Sequence, residues 1–212
     1  MDDTERWMRE RAKVQIRKRA RAVRGAMATS ALSERSVRLA ERLGGLPEVA
    51  RAERLGVFWP IERQKEVDLR ALYATLVASG KRLAFPRIDE PGAPLAFAWV
   101  PDLTALEERG RGFAEPPADA STTLDLDVVL VPALAADARG HRLGYGAGYY
   151  DRTLPLLRPP ALAVTVVYDF QLAPELPDLE TDVAVDLVVT EERTLDLRPG
   201  ASRIDGMPNR PR

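Results

Sequence analysis

The chain has 212 residues, 45% of them hydrophobic, and a formal net charge of −1. These values are typical of one globular domain and argue against a wholly basic nucleic-acid-binding protein. There is no cysteine and one histidine, which excludes disulfides, thiolate nucleophiles, cysteine-ligated zinc and multi-histidine metal sites. The N-terminus lacks an apolar signal segment and no apolar run is long enough to span a membrane, so we expect a cytoplasmic protein that binds no membrane.

The first third of the chain predicts two helices. In the first, apolar residues recur at i, i+4, i+7 and i+11, with arginine and lysine on the other faces, so we expect it to pack on the domain through one apolar stripe. Ser30 or Ser33 is expected to cap the second helix, which should end at Gly44 and Gly45. The stripe consists of Ile16, Ala20, Val23 and Met27.

Farther along the chain, predicted strands alternate with predicted helices. The residues Val128 to Pro132 form an uninterrupted apolar run, which is typical of a strand buried on both faces of a sheet. Predicted strands cover 53–60, 82–87, 95–100, 124–134, 161–169 and 183–191, and predicted helices cover 66–80 and 148–157. This order predicts an α/β fold, a Rossmann-like three-layer αβα sandwich with a mainly parallel or mixed sheet. We expect one domain over residues 1–196 and a flexible tail over 197–212.

The segment "GHRLGYGAGYYDR", residues 140–152, carries the strongest chemical signal. Alternating glycines allow a ligand to approach the backbone and allow positive φ angles, so that successive N–H groups can surround an anion such as phosphate. A helix that begins near Gly148 adds the N–H groups of its first turn. Arg142 can pair with phosphate oxygens, and Asp151 is a natural Mg²⁺ ligand beside bound phosphates.

Two familiar phosphate-binding motifs fit this segment poorly. No Lys-Ser or Lys-Thr pair follows the glycines, as a P-loop requires. The spacing is GxGxG rather than GxGxxG, and about ten residues separate it from the preceding strand. Asp169 could still imitate the ribose-binding acid of a dinucleotide fold, which leaves that fold as a weaker alternative.

The string "LDVVLVPALAADARGHRLGYGAGYYDR", residues 126–152, resembles the hallmark of the 5-formyltetrahydrofolate cyclo-ligase family. Three further pieces resemble the family in the same order, so that the resemblance covers residues 10–193: "KVQIR" at 13–17, "FWPIERQKEVD" at 58–68 and "ETDVAVDLVVTE" at 180–191. It implies that the chain converts 5-formyltetrahydrofolate to 5,10-methenyltetrahydrofolate with ATP and Mg²⁺, as a monomer whose partners are small molecules rather than nucleic acid.

The resemblance also implies roles for individual residues. It implies ATP binding by Lys13, Arg17, Arg142, Leu143, Gly144, Tyr145, Gly146, Ala147, Gly148, Tyr149 and Tyr150. It implies substrate binding by Trp59, Glu66, Tyr145, Gly146, Ala147, Gly148 and Tyr149. Arg142, Tyr149 and Asp151 would be catalytic, and Asp151 and Asp182 would hold Mg²⁺. Phe58, Phe113 and Glu115 are further candidates near the folate.

The sequence departs from the family pattern in a few places. Ala147 stands where relatives often carry lysine, Ala133 replaces a frequent glycine, and the segment from Trp59 to Glu66 is about two residues longer than usual. Two other functions stay open at this level. The chain could be a different α/β enzyme that binds a nucleotide or sugar phosphate through the glycines. It could also be a non-enzymatic protein whose N-terminal helix binds RNA, since residues 1–24 hold nine basic and four acidic side chains.

Overall fold

The computed structural model describes residues 1–108 and 112–201 of the chain. Over these residues the α-helices are α1 (Asp3–Ala26), α2 (Thr29–Gly44), α3 (Pro47–Arg51), α4 (Arg70–Ala78) and α5 (Tyr149–Leu157). Short 3₁₀ turns lie at Glu62–Gln64, Leu103–Ala105 and Asp169–Gln171.

The strands of the described residues form one large sheet and two small ones. They are β1 (Arg54–Gly56), β2 (Arg82–Arg87), β3 (Ala96–Trp99), β4 (Glu107–Glu108), β5 (Ala114–Glu115), β6 (Thr122–Thr123), β7 (Val128–Pro132), β8 (Ala135–Asp137), β9 (Arg142–Leu143), β10 (Leu162–Val166), β11 (Leu172–Ala173), β12 (Leu187–Val189) and β13 (Thr194–Asp196). The large sheet has the order β13-β12-β10-β7-β1-β2-β3-β6. Its five central strands run parallel, whereas β13, β3 and β6 run antiparallel to their neighbours.

Helices cover both faces of the large sheet. On one face, leucines of α2 and α4 such as Leu39 and Leu76 share a buried cluster with Leu55 of β1 and Val128 of β7. On the other face, Leu154 of α5 belongs to a second cluster, with alternate residues of the same strands. Because successive side chains of a strand point to opposite faces, a strand covered on both sides must be apolar throughout. The predicted three-layer αβα fold is therefore confirmed.

The structure corrects two local predictions about the N-terminal helices, each of them in part. No side chain caps α2, whose N-cap is Ala28; the helix nevertheless ends at Gly44 and Gly45 as expected. Ile16 and Met27 of the predicted apolar stripe of α1 pack against the core as expected, whereas Val23 is 43% exposed. Lys13 and Arg24 are instead the buried residues of α1. The apolar periodicity predicted the helix but not all of its buried face, because the charges of Lys13 and Arg24 can be buried where polar groups from elsewhere in the chain compensate them.

The connections of the central strands create a crevice at one edge of the sheet. From β1 the chain passes through α4 to β2 on one side, and from β7 it passes through α5 to β10 on the other side. Strands β1 and β7 are neighbours, so the direction of winding changes between them. Open α/β sheets bind ligands outside the carboxyl ends of their strands at such a point.

A small sheet, β11-β8-β9, leads the chain from β7 into the glycine segment. Its hairpin turn is fixed by the buried Asp137, which accepts hydrogen bonds from the N–H groups of Arg139, His141 and Leu176 at 2.9–3.0 Å. Helix α1 packs on this sheet through Ile16. The domain boundary at residue 196 stays a prediction, and residues 202–212 of the expected tail lie outside the described residues.

Candidate functional site

A cavity of about 1070 Å³ lies beyond the carboxyl ends of β1 and β7. Phe58 and Trp59, which follow β1, and Pro132, which ends β7, form part of its wall. All of the predicted site residues line it: Lys13, Arg17, Trp59, Glu66, Arg142, Leu143, Gly144, Tyr145, Gly146, Ala147, Gly148, Tyr149, Tyr150, Asp151 and Asp182. The fold thus brings together residues from four separate parts of the sequence.

Some weaker candidates lie elsewhere. Glu115 is fully buried, and it accepts the N–H of Ile88. Asp169, the candidate ribose acid of a dinucleotide fold, is paired with Arg193 at 2.7 Å and does not line the cavity. His141 lies in the β8–β9 turn, outside the cavity lining. Phe113, by contrast, does contribute to the wall.

The glycine segment forms an open backbone wall of the cavity. Gly146 and Gly148 adopt φ angles of +108° and +67°, which an L side chain rarely adopts. Gly148 is the N-cap of α5, and no side chain bonds to the first N–H groups of that helix. Two carbonyl oxygens of the segment accept hydrogen bonds from arginines: that of Gly144 from Arg17 at 3.0 Å and that of Ala147 from Arg152 at 2.7 Å. The backbone therefore offers N–H donors at a helix N-terminus, a suitable environment for phosphate.

The basic face of α1 points into the protein. Arg17 follows Lys13 by four residues and Arg24 follows it by eleven, which places the three on one side of the helix. Lys13 pairs with Asp182, and Arg17 and Arg21 donate to carbonyls of the glycine segment. These cations are engaged within the domain, which speaks against the RNA-binding alternative.

The two candidate metal ligands are each held by a cation. Asp151 Oδ1 accepts from Arg142 at 3.0 Å and from the N–H of Val183 at 3.2 Å. Burial lowers the pKa of Arg142, and the Asp151 carboxylate opposes that shift. Asp182 Oδ2 accepts from Lys13 and from the backbone N–H of Leu179.

Each of these carboxylates also has an oxygen that accepts no hydrogen bond from the described residues. Mg²⁺ prefers hard oxygen ligands and is usually bound by one or two carboxylates together with substrate phosphates. The donor set of Asp151 and Asp182 therefore fits Mg²⁺ beside an anion on the glycine segment. The described residues contain no group of three or more metal-binding side chains.

A second part of the cavity is organised around Glu66. Its Oε1 accepts the hydroxyl of Tyr145 at 2.6 Å and its Oε2 accepts the N–H of Ile61 at 2.8 Å. Burial raises the pKa of Glu66, whereas these two hydrogen bonds and the charge of Arg24 act in the opposite direction. Between Trp59 and Glu66 the chain forms the 3₁₀ turn Glu62–Gln64, which ends at Lys65 in the left-handed conformation.

Aromatic side chains also line the cavity. The hydroxyl of Tyr150 is buried without a hydrogen-bond partner among the described residues. Burial raises the pKa of Tyr150; the charge of Glu66 raises it further, and the charge of Arg142 opposes the shift. Trp59 lines the cavity while its ring lies 6.1 Å from that of Phe85 in the core, so it serves packing and the site together.

Comparison with known proteins identifies the family of the chain. The profile of the 5-formyltetrahydrofolate cyclo-ligase family matches residues 9–191. The chain belongs to this family. It is 31% identical over 184 residues to the 5-formyltetrahydrofolate cyclo-ligase of Escherichia coli strain K12, which covers 84% of this chain and 97% of that protein. It is 42% identical to the Mycolicibacterium smegmatis cyclo-ligase over 129 residues, and this match covers 58% of this chain and 66% of that protein.

Solved structures share the fold of this cyclo-ligase family member. The NMR structure of Aquifex aeolicus 5,10-methenyltetrahydrofolate synthetase superposes with a TM-score of 0.79 at 31% identity, over 90% of this chain and 95% of that chain. The Mycoplasma pneumoniae 5,10-methenyltetrahydrofolate synthetase superposes with a TM-score of 0.68 at 22% identity, over 85% of this chain and 99% of that chain, which supports the fold alone. In the described part of the chain no helix is both long and apolar enough to cross a membrane.

The sequence interpretation missed the contribution of Arg24 and Arg21 to the site. Both donate to Tyr145, from the side of α1 that carries Lys13 and Arg17. The signal was present in the spacing of the basic residues, which repeats at helical intervals from Lys13. A second depression, of about 760 Å³, lies between α2 and β12–β13 and contains none of the predicted residues.

Proposed function

We propose that this protein is an ATP- and Mg²⁺-dependent cyclo-ligase that converts 5-formyltetrahydrofolate to 5,10-methenyltetrahydrofolate, releasing ADP and phosphate. The observation that carries the proposal is the cavity itself. The glycine segment that resembles the family hallmark forms its wall, with an acceptor carboxylate at Glu66 in one part and the carboxylates of Asp151 and Asp182 in another. Its volume of about 1070 Å³ suits two ligands together, since a single small-molecule pocket measures roughly 300–1,000 Å³.

The nucleotide side is assigned to the glycine segment and α1. We assign the triphosphate to the N–H groups of residues 144–150 and to the first turn of α5, where the helix dipole also favours negative charge. Lys13 and Arg17 add positive charge from α1. Mg²⁺, when bound between Asp151 and Asp182, would neutralise charge on the phosphates.

The folate side is assigned to Glu66, Trp59 and the side of residues 145–149 that faces them. An ionised carboxylate can accept two hydrogen bonds from the amino group and ring N–H of a pterin. The indole of Trp59 offers a flat apolar surface to the same ring. Glu66 must be ionised for this contact. Burial raises its pKa, and the hydrogen-bond donors around it favour the ionised form.

The reaction needs no nucleophilic side chain. The formyl oxygen attacks the γ-phosphorus of ATP, the bond to the bridging oxygen breaks, and ADP leaves. N10 then attacks the activated carbon and the carbon–oxygen bond breaks, so that phosphate departs and takes up the N10 proton. The protein supplies alignment and charge stabilisation, as in other phosphoryl transfers. Arg142 holds Asp151 in place, and Tyr149 contributes its backbone N–H from the first turn of α5.

The test is product formation, followed by the absorbance band of the methenyl compound after mixing protein, 5-formyltetrahydrofolate, ATP and Mg²⁺. Reactions that lack ATP or contain a chelator are the controls. An ATP-dependent increase supports the proposal. If folded protein binds ATP but forms no product, the folate assignment is wrong. If it binds neither compound, the whole proposal fails.

The proposal includes a monomeric enzyme that acts in the cytoplasm. Light scattering coupled to gel filtration tests the oligomeric state, and fractionation of cells followed by immunoblotting tests the location. A stable dimer or a membrane-bound fraction would contradict these parts of the proposal without affecting the reaction.

A further inference from the structure

Arg24, in the last turn of α1, is a buried cation outside the set of residues that the sequence pointed to. Its relative exposure is 2%. No carboxylate of the described residues lies within salt-bridge distance of it, and its Nε has no hydrogen-bond partner among them. Burial of a charge is unfavourable unless the charge is compensated. The packing of α1 on the domain therefore does not by itself explain why the charge of Arg24 is buried.

Arg24 is connected to Glu66 by a chain of hydrogen bonds. Arg24 Nη2 donates to the hydroxyl of Tyr145 at 2.6 Å, and that hydroxyl donates to Glu66 Oε1 at 2.6 Å. The other oxygen of Glu66 accepts from the N–H of Ile61 at 2.8 Å. The charge of Arg24 thus finds its counter-charge on Glu66 across the tyrosine hydroxyl.

The chemistry of the guanidinium fixes the direction of this chain. Arginine has donors and no acceptor, so the oxygen of Tyr145 must accept from Arg24. The single hydroxyl proton of Tyr145 is then left for Glu66. A neutral residue at position 24 would allow the hydroxyl to rotate, and Glu66 would lose its oriented donor.

The same end of α1 also holds the backbone before Glu66. Lys65 Nζ donates to the carbonyl of Gly25 at 2.7 Å and to that of Met27 at 2.8 Å. The last turn of α1 therefore fixes both the backbone and the side chain of the Glu66 region.

We propose that Arg24 is a positioning residue for folate recognition, which acts through the hydroxyl of Tyr145 to hold Glu66 as an oriented, ionised acceptor for the pterin. This inference rests on the proposed function. It assigns Arg24 no contact with ATP, unlike Lys13 and Arg17 on the same face of the helix.

The experiment compares Arg24→Met with Arg24→Lys, Tyr145→Phe and the double variant Arg24→Met/Tyr145→Phe. Arg19→Met is the matched control, because it removes a charge from an exposed position on the other side of α1. For each protein we would measure kcat, the KM of both substrates, and the dissociation constant of 5-formyltetrahydrofolate without ATP by calorimetry. Circular dichroism establishes that each variant is folded.

Arg24→Met should raise the KM and the dissociation constant of the folate about tenfold or more, as expected for loss of a charge-assisted hydrogen bond, and leave the KM of ATP unchanged. Arg24→Lys should recover part of this loss. Tyr145→Phe should give a similar increase, and the double variant should add little to either single change, because both remove the same chain. Arg19→Met should behave like the wild type.

Wild-type folate affinity in Arg24→Met would overturn the inference, as would equal effects on both substrates or additive effects in the double variant. If Arg24→Met does not fold, Tyr145→Phe decides, and unchanged folate affinity in that variant overturns the inference. These results leave the proposed function intact when the wild type forms product. A wild type that forms no product overturns both.

Discussion

The buried ion pair between Lys13 and Asp182 gives a quantitative prediction for stability. It joins α1 to the loop before β12 across 169 positions of sequence, and the two side chains are 6% and 17% exposed. Asp182→Asn keeps an oxygen that can accept the N–H of Leu179 but removes the counter-charge of Lys13. Loss of one partner of a buried pair leaves an uncompensated charge, which typically destabilises by about 3–5 kcal/mol.

The cavity next to the pair reduces this figure, because water can reach Asp182. We expect Asp182→Asn to lower the free energy of unfolding by about 2–3 kcal/mol, which corresponds to roughly 4–12 °C in melting temperature for a domain of this size. Lys13→Met removes the cation while it keeps the apolar stem, so the double variant Lys13→Met/Asp182→Asn should be more stable than Asp182→Asn alone.

Urea unfolding followed by circular dichroism measures the change, with a constant m-value as the check that the unfolding mechanism is the same. Asp178→Asn is the matched control. Asp178 pairs with Arg9, which joins the same two segments, and with Arg139, each at 3.2 Å. The three side chains are 29–41% exposed, so the loss of both pairs should cost about 1 kcal/mol. Equal effects of Asp182→Asn and Asp178→Asn would refute the reasoning, because burial would then not decide the strength of the pair.

Three further predictions concern the glycine segment, the metal and pH. Gly146→Ala should destabilise by about 1–2 kcal/mol and raise the KM of ATP, because φ is +108° although the added carbon would find its nearest neighbour only at 3.5 Å. Gly25→Ala, inside α1 with nothing within 4 Å, should instead stabilise by up to about 1 kcal/mol; thermal unfolding and ATP kinetics check both, and equal effects would contradict the argument. Asp151→Asn should lower kcat and weaken its dependence on Mg²⁺ in steady-state titrations, whereas Asp169→Asn, outside the cavity, should retain the wild-type kcat; a normal response of the first variant to Mg²⁺ would remove Asp151 from the metal site. Burial raises the pKa of Tyr73, Tyr145 and Tyr150 above the ordinary value of 10.0, so the folded state holds these protons after the unfolded chain releases them. The free energy of unfolding should therefore fall as pH rises above about 10, by up to about 1.4 kcal/mol per pH unit for each tyrosine; urea titrations between about pH 8 and 11 measure this, and a constant value over that range would contradict it.

The sequence by itself determined the local parts of the site. Arg142, the glycines and Asp151 lie within ten consecutive residues, so one local turn is enough to bring them together. Gly148 could be recognised as the start of α5 because a left-handed N-cap suits glycine. The apolar runs at β7 and β10 likewise indicated strands covered on both faces, and from them the three-layer fold followed.

The family resemblance named the distant residues of the site, but only the tertiary structure decided which of them contact one another. Lys13 meets Asp182 across 169 positions, and Glu66 meets Tyr145 across 79. The inward face of α1 could not be deduced from hydrophobic periodicity, because the burial of Lys13 and Arg24 depends on partners supplied by other segments. Local patterns report the conformational preferences of a few residues, whereas a buried charge is stable only where the whole fold brings a compensating group to it.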